Sequence, residues 1–151
     1  MSKKMLQIKQ LNAKMQLIKP ALSILPEGKW INITRTTLGI SLQQLGDKLA
    51  KTRQGMSYIE SSEREGTLSI KALKEVAQAM DMTLVYGFVP NDGSLEALIE
   101  RKARKIATEI VRRTSGNMKL EDQENTENRI RESIEERTKE LIDKMPKALW
   151  D

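Results

Sequence analysis

The stretch from Ser41 to Glu60, SLQQLGDKLAKTRQGMSYIE, constrains the fold of this chain more than any other part of the sequence. Ser41 and Gln44 have the spacing of a capping box, in which each side chain bonds to the backbone N–H of the other residue. Thr52 is placed to cap a second helix. We therefore predict one short helix that ends near Ala50, a tight turn, and a second helix that ends at about Ser61.

The apolar residues of this stretch predict how the two helices pack. Leu45 and Leu49 form the inner face of the first helix, and Met56 and Ile59 form that of the second. Gly46 lies between them, although glycine inside a helix costs about 1 kcal/mol relative to alanine. A close approach of the two helices at Gly46 would explain this residue.

Hydrophobic periodicity predicts further helices on both sides of this pair, at about residues 4–19, 30–38, 69–80, 94–115 and 120–144. In the helix at 30–38, we expect Ile33 and Thr37 to face inward. The last two helices are basic and acidic, respectively. They either fold back on each other as a hairpin or remain two independently solvated faces.

Residues 83–89, TLVYGFV, are β-branched and aromatic and predict one short strand. A lone strand leaves its edge groups unpaired. The strand either pairs with the same strand of a second subunit or is a buried extended segment on the helices. The predicted fold class is therefore mainly α, with a five-helix core, one short β-strand and a C-terminal helical hairpin. The predicted domains are residues 1–26, 27–90 and 91–151.

Composition excludes several classes of function. The 151 residues include no cysteine and no histidine, so disulfides, Cys/His zinc sites, thiol nucleophiles and imidazole bases are all excluded. We expect neither enzymatic activity nor a cofactor. We also expect a cytoplasmic protein, because no signal peptide or membrane-spanning run is evident.

The formal net charge of +5 is unevenly distributed, because residues 1–26 hold five lysines and no acidic residue. A basic arm on a nearly neutral body suits a polyanionic partner. It is equally compatible with a solvated helix face, and charge alone does not decide between the two.

Residues 30–80 resemble the Cro/repressor, or Xre, family of helix-turn-helix proteins. The matching positions are the two caps, the small residue, the apolar set and an acidic residue: Ser41, Leu45, Gly46, Leu49, Thr52, Met56, Ile59 and Glu60. In that family the second helix of the motif lies in the major groove of DNA. The resemblance implies base contacts from Arg53, Gln54, Ser57 and Tyr58, and backbone contacts from Gln43 and Thr52.

Three features depart from the family pattern, and a plain helical hairpin with a solvated face is the alternative. Leu42 replaces a polar residue that often opens the first motif helix. Ala50-Lys51 replaces the usual glycine and apolar residue of the turn. Glu63 and Glu65 follow the second helix closely, where we expect their negative charges to be unfavourable beside DNA phosphates.

A narrower resemblance extends over nearly the whole chain, to the family called mobile mystery protein A. It is carried by segments in a fixed order: Gly28-Lys29-Trp30, Leu38–Ser41, the motif, Glu63–Thr67, Leu84–Pro90, Met118–Gln123 and Leu149–Asp151. That family is found beside a partner with a Fic domain, a fold that transfers nucleotide groups to proteins. The resemblance implies a toxin–antitoxin-like pair in which this chain binds DNA and neutralises the partner.

The segment from Ser61 to Gly66 also fits the pattern Ser/Thr-x-x-x-Glu-Gly that inhibits Fic domains. The pattern is short, and glutamate and glycine have structural uses at a helix end, so we favour a structural role. Two hypotheses follow from the whole sequence. The first is a homodimeric repressor that binds double-stranded DNA at an inverted repeat. The second is a protein-binding antitoxin with weak or non-specific DNA binding.

Overall fold

The computed structural model describes residues 2–26, 29–115 and 123–151, without the side chains of residues 123–125. Within these ranges the chain forms seven α-helices and two short 3-10 helices, so the prediction of a mainly α protein is confirmed. The α-helices are α1 (Lys3–Ile18), α2 (Trp30–Thr37), α3 (Leu42–Lys48), α4 (Arg53–Glu65), α5 (Ile70–Ala79), α6 (Leu95–Ser115) and α7 (Gln123–Lys144). The 3-10 helices are Lys19–Ser23 and Lys147–Trp150. None of the helices in the described ranges is both long and apolar enough to cross a membrane.

The predicted strand at residues 83–89 is wrong for the single chain. This segment is extended chain without helix or strand, because the described part of the molecule offers it no second extended segment to pair with. It is not a buried segment either, since Val85 and Phe88 are 81% and 80% exposed.

The chain divides into two compact units, which we call the central unit (Pro20–Gly87) and the terminal unit (Met1–Lys19 with Phe88–Asp151). The central unit contains α2 to α5. The terminal unit contains α1, α6 and α7, and α1 packs against α6 there. The predicted five-helix core is therefore not formed, because α1 belongs with the C-terminal helices.

The core of the central unit takes one buried residue from each of its four α-helices: Ile31, Leu45, Met56 and Val76. The inner faces of α3 and α4 were predicted from their periodicity. The inner face predicted for α2 is wrong, because Ile33 is 41% exposed and Thr37 is exposed. A helix of two turns has too few apolar residues to set its own orientation, and contacts from α4 decide which face of α2 is buried.

The terminal unit is built on α6 and α7, which lie against each other and bury Ala107, Ile130 and Ile134. Helix α1 joins them through its polar side chains. The Asn12 side-chain oxygen accepts the backbone N–H of Leu95 at 2.8 Å, and Gln16 Nε2 donates to the Gly93 carbonyl at 2.7 Å. Backbone N–H groups in the first turn of a helix have no partner within the helix, so Asn12 completes the start of α6.

Candidate nucleic-acid interface

The start of α3 has the predicted capping box. The Gln44 N–H donates to Ser41 Oγ at 3.0 Å, and the Ser41 N–H donates to Gln44 Oε1 at 2.9 Å. Two backbone donors at the helix start are thus satisfied by side chains. The position at which α3 begins is therefore determined locally by the sequence.

The turn between α3 and α4 is closed by backbone and side-chain hydrogen bonds. Ala50 adopts a left-handed conformation with φ of 55°, which allows the Lys51 N–H to donate to the Gly46 carbonyl at 2.8 Å. Thr52 Oγ1 then accepts the Gly55 N–H at 2.9 Å and caps α4, as predicted. The left-handed position is the one where the family pattern has glycine, and here alanine occupies it at a steric cost.

Gly46 is fully enclosed between α3, the turn and α4. A Cβ atom at this position would lie 2.6 Å from the Lys51 carbonyl oxygen and 3.2 Å from Met56 Cγ. The close approach expected at Gly46 is confirmed, and its tightest contact is with the backbone of the turn. The spacing of α3 and α4 therefore depends on the absence of a side chain here.

Helix α4 exposes the four residues that were predicted to contact bases. Arg53, Gln54, Ser57 and Tyr58 are all exposed, Tyr58 to 74%. At 100° per residue they fall within an arc of about 140° on the helix. The structure thus brings them together on one outward face, and their contact with DNA remains a prediction.

The two residues predicted to contact the DNA backbone are exposed near the starts of α3 and α4. Gln43 is exposed on α3, and its Nε2 donates to Asp47 Oδ1 at 2.7 Å. Thr52 is exposed at the start of α4, where its oxygen is used as a cap. A hydroxyl oxygen that accepts one hydrogen bond still has its own O–H to donate. Thr52 can therefore serve α4 and an external acceptor at once.

A buried ion pair holds the inner side of α4, and sequence reasoning assigned it no role. Glu60 is 7% exposed. Its carboxylate receives Arg35 Nε and Nη2, the latter at 3.3 Å, and Asn32 Nδ2 at 3.0 Å. Arg35 Nη1 also donates to the Ile40 carbonyl at 2.9 Å. In the sequence, Glu60 matches the acidic position of the family pattern and directly follows Ile59 within the apolar stripe of α4.

Glu63 lies against the start of α2. Its two carboxylate oxygens accept the N–H groups of Trp30 and Ile31 at 3.1 and 2.9 Å. The side chain of Glu63 therefore caps a neighbouring helix, and the unfavourable effect expected of it beside DNA phosphates stays a prediction. Glu65 is exposed, as expected.

Helix α4 is also about one turn longer than predicted. It ends at Glu65 and is followed by Gly66, whose φ of 77° is left-handed. The segment that matches the Fic-inhibitory pattern is therefore the last part of a helix. In it Arg64 donates to Ser61 Oγ at 3.1 Å, and the carbonyl of buried Ser62 accepts the Thr67 N–H at 2.9 Å.

The charge exposed by α3 and α4 differs from the charge of their sequence. Residues 42–65 hold four basic and four acidic residues. Glu60 is buried and Glu63 is turned to α2, so the exposed charged side chains are Asp47, Lys48, Lys51, Arg53, Arg64 and Glu65. This surface therefore presents more positive than negative charge, although the stretch as a whole is neutral.

No protein-family model matches this chain, and the comparisons with curated proteins and with solved structures find no match.

Proposed function

We propose that this chain is a sequence-specific DNA-binding repressor whose central unit is a helix-turn-helix domain of the Cro/repressor type. The observation that carries the proposal is the exposed face of α4. It presents Arg53, Gln54, Ser57 and Tyr58 together, while Met56 and Glu60 hold the opposite side inside the unit. A capped helix, α3, precedes it across a tight turn, in the order that such motifs require.

The chemistry of the four side chains suits the edges of base pairs. Arginine pairs with guanine through two hydrogen bonds, and glutamine pairs similarly with adenine. Arg53 and Gln54 stand at the start of α4, the end of the helix that points to base edges in this class of motif. Ser57 and Tyr58 follow one turn later and would extend the contact.

The exposed charge supports an approach to a polyanion. Inward placement of Glu60 and Glu63 removes two carboxylates from the surface around α4. Gln43 and Thr52, at the starts of α3 and α4, would contact the phosphates on either side. Phosphate contacts supply much of the affinity of such proteins and make it depend steeply on salt.

The repressor acts as a homodimer on an inverted repeat in its own promoter. Two copies of α4 would enter successive major grooves, about 34 Å apart. The resemblance to mobile mystery protein A supports a role as the cytoplasmic, antitoxin-like member of a Fic-type pair that represses its own operon. No cofactor is required for this activity.

Binding to the chain's own upstream DNA and to a scrambled fragment, measured across a salt series, tests the proposal. Arg53→Ala and Gln54→Ala should reduce the preference for the upstream fragment, each by about 1–3 kcal/mol. Arg64→Ala is the matched control, because it removes the same charge at the far end of α4. It should change binding to both fragments equally. Equal, salt-sensitive binding of the parent chain to both fragments contradicts the proposal.

A second function, neutralisation of a partner enzyme, is favoured by the terminal unit. This unit has its own core, and α1 exposes Leu6 and Leu17 to 50% and 84% on one face. Large apolar side chains at this exposure are typical of protein-binding surfaces when they are contiguous.

Inhibition of a Fic-domain protein encoded beside this chain tests the second function. Leu6→Asp with Leu17→Asp should abolish inhibition, whereas Arg53→Ala should preserve it. A chain that leaves nucleotide transfer by the Fic protein unchanged contradicts this function and leaves the repressor proposal intact.

A further inference from the structure

The chain between α5 and the terminal unit has unused capacity for hydrogen bonding. Just after helix α5, Asp81 adopts a left-handed conformation with φ of 57°, and the Met82 N–H donates to the Ala77 carbonyl at 2.8 Å. From residue 83 to 87, no backbone group bonds to any residue that the structure describes. We call Met82–Gly87 the 82–87 segment. It has the open edge of a β-strand without a partner.

The side chains of the same segment are apolar and exposed. Val85 and Tyr86 are 81% and 63% exposed, and Met82 is 42% exposed. The sequence MTLVYG is rich in the β-branched and aromatic residues that favour strands. The segment thus combines a preference for pairing with apolar surface that pairing would cover.

The segment also forms one wall of an apolar cavity of about 260 Å³ within the central unit. Helices α2 and α5 form the other walls, with Trp30, Val76 and Met80 among the lining residues. Trp30 is 51% exposed. The exposed apolar surface therefore extends beyond the 82–87 segment to the ring of Trp30.

We infer that the 82–87 segment pairs with the same segment of a second copy of this chain, and that this pairing forms the dimer. This inference rests on the proposed function, which requires two copies of the chain. It identifies the surface through which the two copies associate. In an antiparallel pair related by a twofold axis, each copy supplies the N–H and C=O groups that the other lacks.

The 82–87 segment and the adjoining cavity are uncharged, which favours a second copy of this chain as the partner that covers them. Neither the segment nor the lining of the cavity includes a charged residue, so nothing there would select an acidic or basic partner. The formal net charge of +5 is concentrated in residues 1–26, and it opposes the approach of two copies through that part of the chain. The 82–87 segment is a place where two copies meet without like charges.

The available area is sufficient for a dimer. An aromatic side chain buries about 150–250 Å² when it is enclosed. From the exposed fractions of Trp30, Met82, Val85 and Tyr86, together with the backbone, each copy would bury on the order of 500 Å². The total of about 1,000 Å² reaches the lower limit of specific interfaces. The dimer should therefore dissociate at measurable concentrations.

Sedimentation equilibrium of the full chain without DNA tests the inference. Val85→Asp places one carboxylate from each copy within the paired segments, and like charges in an interface cost several kcal/mol. The dissociation constant should therefore rise at least about 100-fold. Ile24→Asp is the matched control, because Ile24 is 75% exposed and belongs neither to the 82–87 segment nor to the lining of the cavity, and the dissociation constant of this variant should not change.

Amide hydrogen exchange provides a second measurement on the same samples. In the parent chain, the amides of residues 83–87 should become protected as the concentration rises through the dissociation constant. In Val85→Asp they should stay unprotected at the same concentrations, while α2 to α5 keep their protection. This result shows that the central unit of the variant is folded.

Three results would overturn the inference: a parent chain that is monomeric at about 100-fold the concentration used for DNA binding, an unchanged dimer in Val85→Asp, or a dimer lost in Ile24→Asp alone. Failure of the proposed function gives a different result. A dimer that Val85→Asp dissociates, without preference for the upstream DNA, retains this inference and removes the repressor.

Discussion

The central and terminal units place their charged groups in opposite ways. In the central unit the side chains of Arg35 and Glu60 are only 11% and 8% exposed. In the terminal unit the side chains of Arg104 and Glu135, which join α6 to α7, are 40% and 54% exposed. Both pairs connect two helices, but only the first is enclosed by the core.

This difference determines what each ion pair can do. An exposed pair is screened by water and salt and contributes little to stability. A buried pair is costly to break, because the remaining charge has no partner inside the protein. The central unit therefore uses charge to orient α4, whereas the terminal unit relies on apolar contacts, including Ala103 and Ala107, which are completely buried.

The largest expected effect is that of Glu60→Ala, which leaves Arg35 buried without its partner. We expect a loss of about 3–5 kcal/mol in the free energy of unfolding of the central unit. Urea denaturation followed by tryptophan fluorescence measures it. Trp30 lies in the central unit and Trp150 in the terminal unit, so a Trp150→Phe background reports the central unit alone.

Two further variants sharpen this prediction. Arg35→Met with Glu60→Leu replaces the pair by apolar side chains and should lose much less stability than Glu60→Ala. Glu135→Ala, followed in a Trp30→Phe background, should have a far smaller effect on the terminal unit. If Glu60→Ala and Glu135→Ala have equal effects, the contrast between the two units is wrong.

The second expected effect is that of Gly46→Ala. Its Cβ atom would lie 2.6 Å from a backbone oxygen, which cannot turn aside as a flexible side chain can. We expect a loss of about 1–3 kcal/mol from the strain. Thermal denaturation measures it, and Gly55→Ala is the control, because its nearest contact is the Thr52 hydroxyl at 3.2 Å. A Gly46→Ala chain at least as stable as Gly55→Ala would contradict the close approach.

The third expected effect is that of replacing alanine by glycine, which should change the free energy of unfolding in opposite directions in the two units. Ala50 is held at φ 55°, so Ala50→Gly should stabilise the central unit by about 0.5–1 kcal/mol. Ala13 is an exposed residue inside α1, where the same change to glycine should destabilise the terminal unit by about 0.5–1 kcal/mol. Chemical denaturation of both variants checks the signs. A destabilising Ala50→Gly would show that the turn does not strain alanine.

The smallest effect is the response of the terminal unit to acid. The Arg104 guanidinium, through its hydrogen bond, lowers the pKa of Glu135 below its usual range, and Arg101 lowers the pKa of Asp92 in the same way. A carboxylate with a lowered pKa in the folded state stabilises that state above its unfolded pKa, and this contribution disappears as pH falls through the folded value.

We therefore expect Glu135→Gln to be slightly less stable than the parent chain near neutral pH. The difference should shrink as the pH falls below the usual pKa of glutamate and disappear below the lowered pKa of Glu135, and it should also shrink in 1 M salt. Melting temperatures of both chains in the Trp30→Phe background, at several pH values, measure it. A difference that persists at the lowest pH would mean that Glu135 acts through packing and not through its charge.

The sequence by itself determined the local elements of the central unit. The capping box at Ser41, the caps at Thr52 and Ser69 and the stop at Gly39 depend on hydrogen bonds and dihedral angles within a few residues. Leu45, Met56 and Val76 were also predictable as core residues, because helical periodicity places them on one face. The four exposed residues of α4 follow from the same periodicity.

Only the tertiary structure decided where the charges, the extended segment and α1 belong. Whether Glu60 and Glu63 face outward depends on Arg35 and on the start of α2, which are far away in sequence. The 82–87 segment prefers to be a strand, yet a strand needs a partner that the single chain does not supply. Helix α1 joins the terminal unit because Asn12 and Gln16 satisfy backbone groups near the start of α6, and no local pattern encodes a partner that distant.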